Sequence, residues 1–264
     1  MAERFVGELD WINPRYLVTE GTNNKIEGFF VGLGVIFNDL KGLILFEKIL
    51  LDHYEKPEND EISSHAGSYG GVLVQTQKLF AGTINEFFIF LKKSAEVFED
   101  QEFKEVFEKL AKSDQSLWRD IIAVANGEML DATDFLKTLV KIRSNVAFHY
   151  DHSKKILRNA YVSRFFGETH DNKTDHAYFS IGNTIETTRF YFADAAVEES
   201  LSLAAGKRPK EDDIANAPME NYRGQVRETI DVMSAAIASL MKKYIQSRRN
   251  RPHLPAKIDG GSRL

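Results

Sequence analysis

The chain has 264 residues, is 43% hydrophobic and 28% charged, and carries 34 Lys and Arg against 39 Asp and Glu for a formal net charge of -5. That is the balance of a globular protein of one large or two small domains, and it excludes a basic coat for long nucleic acids, whose binding is dominated by phosphate neutralisation. The absence of cysteine excludes disulfides, thiolate metal sites and cysteine nucleophiles, and it agrees with a cytoplasmic location.

Residues 1–22 contain Trp11-Ile12-Asn13-Pro14 and Gly21-Thr22 and read as an irregular arm with a short extended piece at 16–18. No basic region followed by an apolar run stands at the start, so no secretory signal is expected. Asn23 or Asn24 is the expected cap of a helix reaching residue 54. Its apolar face holds Phe29, Phe30, Leu33, Ile36, Phe37, Leu40, Ile44, Ile49 and Leu51 at roughly helical spacing. Residues 28–46 come nearest to a membrane span, but Asn38, Asp39 and Lys41 in the middle are expensive in hydrocarbon, so a buried helix is expected and no membrane. Gly28, Gly32, Gly34 and Gly42 each weaken that helix by ~1 kcal/mol relative to Ala, and their use is to let a neighbour approach.

Lys56-Pro57-Glu58-Asn59-Asp60 ends the helix in a turn. After a Gly/Ser-rich patch at 63–71, a second helix is expected over 71–98, with Leu73, Leu79, Phe80, Ile84, Phe87, Phe88 and Leu91 inward. A shorter pair follows at 102–112 and 114–125, ending at Gly127, with Asp114 and Asp131 as candidate caps and Asp134 placed for a capping box. Asp131 opens a helix that runs to 166 before Gly167. Its stripe is Phe135, Leu139, Ile142 and Val146, continued by Ile156, Leu157 and Tyr161. Residues 167–182 read as a polar loop, Asn183 as the cap of a helix to 205, and 206–218 as a charged linker. A last helix starts at Met219 or Glu220 and ends near 246, and 247–264, with Arg248, Arg249 and Arg251, reads as a flexible basic tail. The fold class that follows is all-α: a single bundle of six to seven helices over 23–246.

The chemistry concentrates inside the 131–166 helix, at Lys141-Ile142-Arg143-Ser144-Asn145-Val146-Ala147-Phe148-His149-Tyr150-Asp151-His152. Between 141 and 164, Lys and Arg outnumber acids so strongly that this segment is basic in an acidic chain; a solvated helix face is the alternative reading. On one regular helix Arg143 and His149 lie about 120° apart around the axis and about 9 Å along it. Asn145, His149 and His152, related by four and three, share a face. Imidazole, with a reference pKa of ~6.5, suits proton transfer near neutrality. Guanidinium supplies a fixed positive fork for a phosphate. The alternatives at these positions are a buried core histidine at 149, which continues the apolar stripe, and a surface Arg143 paired with an acid.

A metal reading has N and O donors at His149, Asp151 and His152, or at His170, Asp171, Asp175 and His176. Neither set has the spacing of His-Glu-x-x-His or Glu-x-x-His, so neither a metal nor any other cofactor is expected. A P-loop and a Gly-x-Ser-x-Gly elbow are also missing, which removes support for ATPase and hydrolase chemistry.

An Arg followed six positions later by a His, late in a helical bundle and ahead of a basic stretch, resembles the Arg-x(4–6)-His motif of the HEPN superfamily. The resemblance implies an HEPN-like bundle and a metal-independent endoribonuclease of a bacterial defence or toxin–antitoxin system. It implies attack of a ribose 2′-hydroxyl on the adjacent phosphate, with Arg143 clamping the phosphate, His149 moving the proton and Asn145 orienting one of them. The family often has Asn, Asp or His directly after the Arg; this chain has Ser144 there and Asn one place later. RNA is the implied partner, held by Lys154, Lys155 and Arg158, and a homodimer that joins two motifs in one groove is the implied assembly. The alternative is a catalytically inactive helical protein that binds RNA or a protein partner such as an antitoxin.

Overall fold

A computed structural model describes residues 12–19, 24–58, 62–128, 137, 139–140, 154–166, 176–185, 187–205 and 217–249. Its helices are α1 (Pro14–Leu17), α2 (Lys25–His53), α3 (Ser64–Lys93), α4 (Ala95–Phe98), α5 (Gln101–Glu108), α6 (Lys112–Asn126), α7 (Lys154–Phe166), α8 (Tyr191–Ala205) and α9 (Ala217–Arg249). Among the described residues the only strand-like pairing is an isolated antiparallel bridge between Ser180 and Arg189. The chain is all-α, as its periodicity requires.

The hub is α9, which touches α1, α2, α3, α5, α6 and α8. Tyr222, Val226, Ile230, Met233, Ile237, Leu240 and Tyr244 recur along it every three or four residues, and all are buried. Against them pack Phe29, Phe30, Leu33 and Leu40 of α2 and Phe80, Ile84, Phe87 and Leu91 of α3. Tyr244 stacks on Phe30 with ring centroids 3.7 Å apart. Trp118 of α6 is fully buried and donates from Nε1 to the Ala236 carbonyl at 2.9 Å, so its one polar atom is satisfied inside the core.

The ends of α2 and α6 follow local chemistry. Asn24 accepts from the N–H groups of Ile26 and Glu27, and Gly127 closes α6 in the left-handed region at φ 78°. Elsewhere the structure corrects the expectations. Residues 14–17 are helical rather than extended, because Asn13 caps them and Pro14 sits where its missing N–H costs nothing. The glycine-rich patch is not a break: α3 starts at Ser64, capped by Ser63. Asp114 lies in the first turn of α6, whose cap position is Ala111. Asn183 does not open a helix; Thr184, Thr187 and Thr188 hydrogen-bond to their own loop, and α8 begins only at Tyr191. The expected tail from 247 is helical through Arg249, with Arg248 buried.

The apolar face of α2 is also narrower than expected. Ile49 and Leu51 are exposed, together with Val31, Val35 and Phe46 on the outer side of the helix. By length and composition α2 would be long and apolar enough to cross a membrane, yet its inner side is seated on α3 and α9. Of the expected helix over 131–166, Lys137, Leu139 and Val140 are helical, Leu139 is buried in the core, and Lys154–Phe166 is α7. The intervening motif lies outside the described residues.

Candidate functional site

The basic helix that follows the motif is placed by its packing on α8. Ala160 is buried, Tyr161 meets Phe192 edge to face at 6.2 Å, and Ser163 Oγ donates to the Glu199 carboxylate at 2.6 Å. Those contacts fix which side of α7 faces outward. Lys155 and Arg158, three residues apart and therefore on one face, are both exposed. Lys154 belongs to the first turn of the same helix. Ile156, Val162 and Phe166 are exposed beside them, so this surface mixes fixed positive charge with apolar area. Arg143, Asn145 and His149, and with them Asp151, His152, His170, Asp171 and Asp175, lie outside the described residues.

A second constellation lies where α8 crosses the start of α3, and sequence reasoning missed it. A cleft of about 630 Å³ opens there between Ser63, Gly67 and Gly71 on one side and Tyr178, Tyr191 and Asp194 on the other. Arg189 Nε pairs with Asp194 Oδ2 at 2.8 Å. The Tyr191 hydroxyl donates to the Ser64 carbonyl at 3.2 Å and shares a hydrogen bond with Ser180 Oγ at 3.0 Å. Burial alone would raise that phenol. Hydrogen bonding with Ser180, Ser64 and Ser68 and the Arg189 charge outweigh it and hold Tyr191 below the ordinary tyrosine value. Deeper along α3, burial pulls the Lys78 ammonium below the ordinary lysine range, against the opposing charge of Asp194. Carboxylates and aromatic rings edge the cleft, which therefore suits a hydrogen-bond donor or a cation.

Gly67 and Gly71, one turn apart, make this crossing. A Cβ at 67 would fall within the Tyr191 ring, and one at 71 would meet the Arg189 guanidinium and Asp194; at Gly70 it would meet none of the described residues within 4 Å. Gly70→Ala is therefore expected to stabilise the protein by about 1 kcal/mol through helix propensity alone. Gly71→Ala is expected to destabilise it by displacing the Arg189–Asp194 pair. Denaturant midpoints of the two variants check this; equal gains at both positions would mean that the crossing is loose. The sequence signal was the 67/71 spacing on one helix face, which the Gly/Ser-rich composition hid by moving the expected helix start to 71.

A third charged group closes the far end of the bundle. Arg248 Nη1 lies 3.0 Å from Glu27 Oε1 and Nη2 2.8 Å from Glu102 Oε1, with the Arg248 and Glu27 side chains only 2% and 3% exposed. Thr19 donates to Glu27 from its N–H at 3.0 Å and from Oγ1 at 2.9 Å. The guanidinium sits 5.0 Å from the Tyr244 ring centroid, and Tyr244 donates to the Leu17 carbonyl at 2.8 Å. This network ties α9 to α2, α5 and the segment around α1, and it is a structural clamp. Arg248 is therefore not part of a basic surface.

Among the described residues no group of three or more His, Asp or Glu could hold a metal ion. In comparisons with known proteins, no family model, no curated protein and no solved structure matches this chain.

Proposed function

We propose that the protein acts on RNA as a metal-independent endoribonuclease of the HEPN kind, with Arg143 and His149 as the catalytic pair and Asn145 beside them. The observation that carries this reading is the Arg-x5-His pattern lying directly ahead of α7, whose outward face presents Lys155 and Arg158. In this reading the two cations track the RNA backbone and bring a ribose to the motif. His149 then takes the 2′-hydroxyl proton as the oxygen attacks the adjacent phosphorus. The bond from phosphorus to the 5′-oxygen of the next nucleotide breaks, that oxygen leaves as a hydroxyl after taking a proton from solvent, and a 2′,3′-cyclic phosphate remains. Arg143 neutralises the charge that grows on the phosphoryl oxygens, which a bidentate guanidinium does well. A defence or toxin–antitoxin role and a cytoplasmic setting accompany the resemblance.

RNA binding tests the first half of this reading separately from cleavage. Lys155→Glu with Arg158→Glu is expected to weaken binding to a single-stranded RNA, measured by fluorescence anisotropy. The slope of log affinity against log salt should also fall, by about 0.7 for each phosphate that is no longer neutralised. An unchanged slope would remove α7 from the RNA path. A second reading, a protein that works by binding a protein partner, is favoured by the exposed apolar Ile156, Val162 and Phe166 of α7.

A further inference from the structure

We propose that the outer face of α2 is a two-fold interface, on which α2 of a second copy of this chain lies antiparallel, centred between Asn38 and Asp39. The proposal is independent of the RNA reading.

Gly28, Val31, Val35, Gly42, Phe46 and Ile49 fall within a sector of about 60° at 100° per residue. Val31 is 51% exposed, Val35 55%, Phe46 44% and Ile49 56%. From Ile26 to Asn38 the only charged residue is Glu27, and it is buried against Arg248. The exposed side of that half-helix therefore carries no charge at all, unlike a helix face that evolved against water.

Gly28 and Gly42 on this face do not make room for any of the described residues of the protomer. A Cβ on Gly32 would press on the Phe90 ring, but one on Gly28 or Gly42 would meet none of the described residues within 4 Å. Each nonetheless costs the helix ~1 kcal/mol relative to Ala. The space they leave open is what a second helix laid on this face would use.

An antiparallel register about Asn38 and Asp39 sets Gly28 opposite Ile49, Val31 opposite Phe46 and Val35 opposite Gly42. Every glycine then faces a large apolar side chain, as interlocking helices require. A parallel pair would instead set each glycine against itself and Ile49 against Ile49. Beside Gly42 is a hollow of about 340 Å³, walled by Asn38, Asp39 and Leu43 of α2 and by Leu79 and Thr83 of α3. It lies where Val35 of the partner subunit would enter. A seam a third of the way round a helix ~43 Å long and ~10 Å across covers on the order of 450 Å², and the rest of the ~800 Å² per partner of stable complexes falls to the α3 surface beside that hollow, around Leu79 and Thr83. In this register Asn38 of each copy faces Asp39 of the other at the axis, and an amide donating to a carboxylate there would pin the register. A bilayer fits this face less well, because the exposed Asp39 and Lys41 would each cost ~2.5–3.5 kcal/mol at its centre.

The cysteine-free chain allows a register-specific test by mild oxidation of single-cysteine variants of the full-length protein. Asn38→Cys is expected to form a disulfide dimer. Val31→Cys and Phe46→Cys are each expected to stay uncrosslinked alone and to crosslink when mixed. Sedimentation across the micromolar range should give a dimer for the unmodified chain and a monomer for Val35→Glu, with helical circular dichroism unchanged in both. Self-crosslinking of Val31→Cys would overturn the antiparallel register. A monomeric unmodified chain would overturn the interface, and so would association with lipid vesicles, lost in Val35→Glu, without a dimer in solution.

Discussion

Arg248→Ala is expected to destabilise the folded chain by about 3–5 kcal/mol, because it strands a carboxylate in the interior rather than merely deleting an attraction. Glu27 would keep only its two hydrogen bonds from Thr19, and Tyr244 would lose the guanidinium over its ring. Arg248→Lys should recover only part of the loss, since an ammonium cannot span Glu27 and Glu102 as the planar fork does. Replacing the pair together, Glu27→Leu with Arg248→Met, should restore most of the stability, because the desolvation cost disappears along with the attraction. Urea unfolding followed by circular dichroism measures all three. An Arg248→Ala variant within about 0.5 kcal/mol of the parent, the usual range for surface substitutions, would mean that the clamp is dispensable.

The second large effect is catalytic. If the protein cleaves RNA as proposed, His149→Ala should slow cleavage by roughly 10²–10⁴, the usual contribution of a positioned acid or base. Arg143→Ala should cost about 3–4 kcal/mol of transition-state stabilisation if its guanidinium meets the charged phosphoryl group. Both variants should unfold at the parent's midpoint. A His149→Ala protein that melts early while handling RNA normally would make His149 a core residue that continues the stripe from Leu139, and would leave the partner-binding reading in its place.

The elements legible in the sequence were those whose signals are local. Asn24 before a long apolar period and Gly127 after one are caps whose effect is confined to a single turn, and both are where the pattern put them. Arg248 was illegible for the opposite reason. Its partners, Glu27 and Glu102, are on α2 and α5, and nothing near a run of arginines tells a buried one from a solvated one. Gly67 and Gly71 misled because glycine lowers helix propensity, whereas the fold needs their missing side chains to seat Tyr191 and Arg189. Asn183 looked like a cap, but neighbouring threonines satisfy that loop without a helix. The catalytic candidates came from a family resemblance carried by one segment, whose residues a sequence displays directly. The Tyr191–Asp194–Gly71 cleft joins two helices far apart in the chain, and that proximity exists only in the fold.

The ribonuclease reading stands or falls on the fate of a defined single-stranded RNA incubated with the full-length protein in EDTA, with the product ends identified. Cleavage is expected to persist without divalent cations and to leave a cyclic phosphate. A 2′-deoxy substitution at the cut site should block it, and Arg143→Ala should slow it by roughly 10²–10³. Intact RNA under every condition, cleavage that requires a divalent cation, or equal cleavage by the Arg143→Ala protein would contradict that reading.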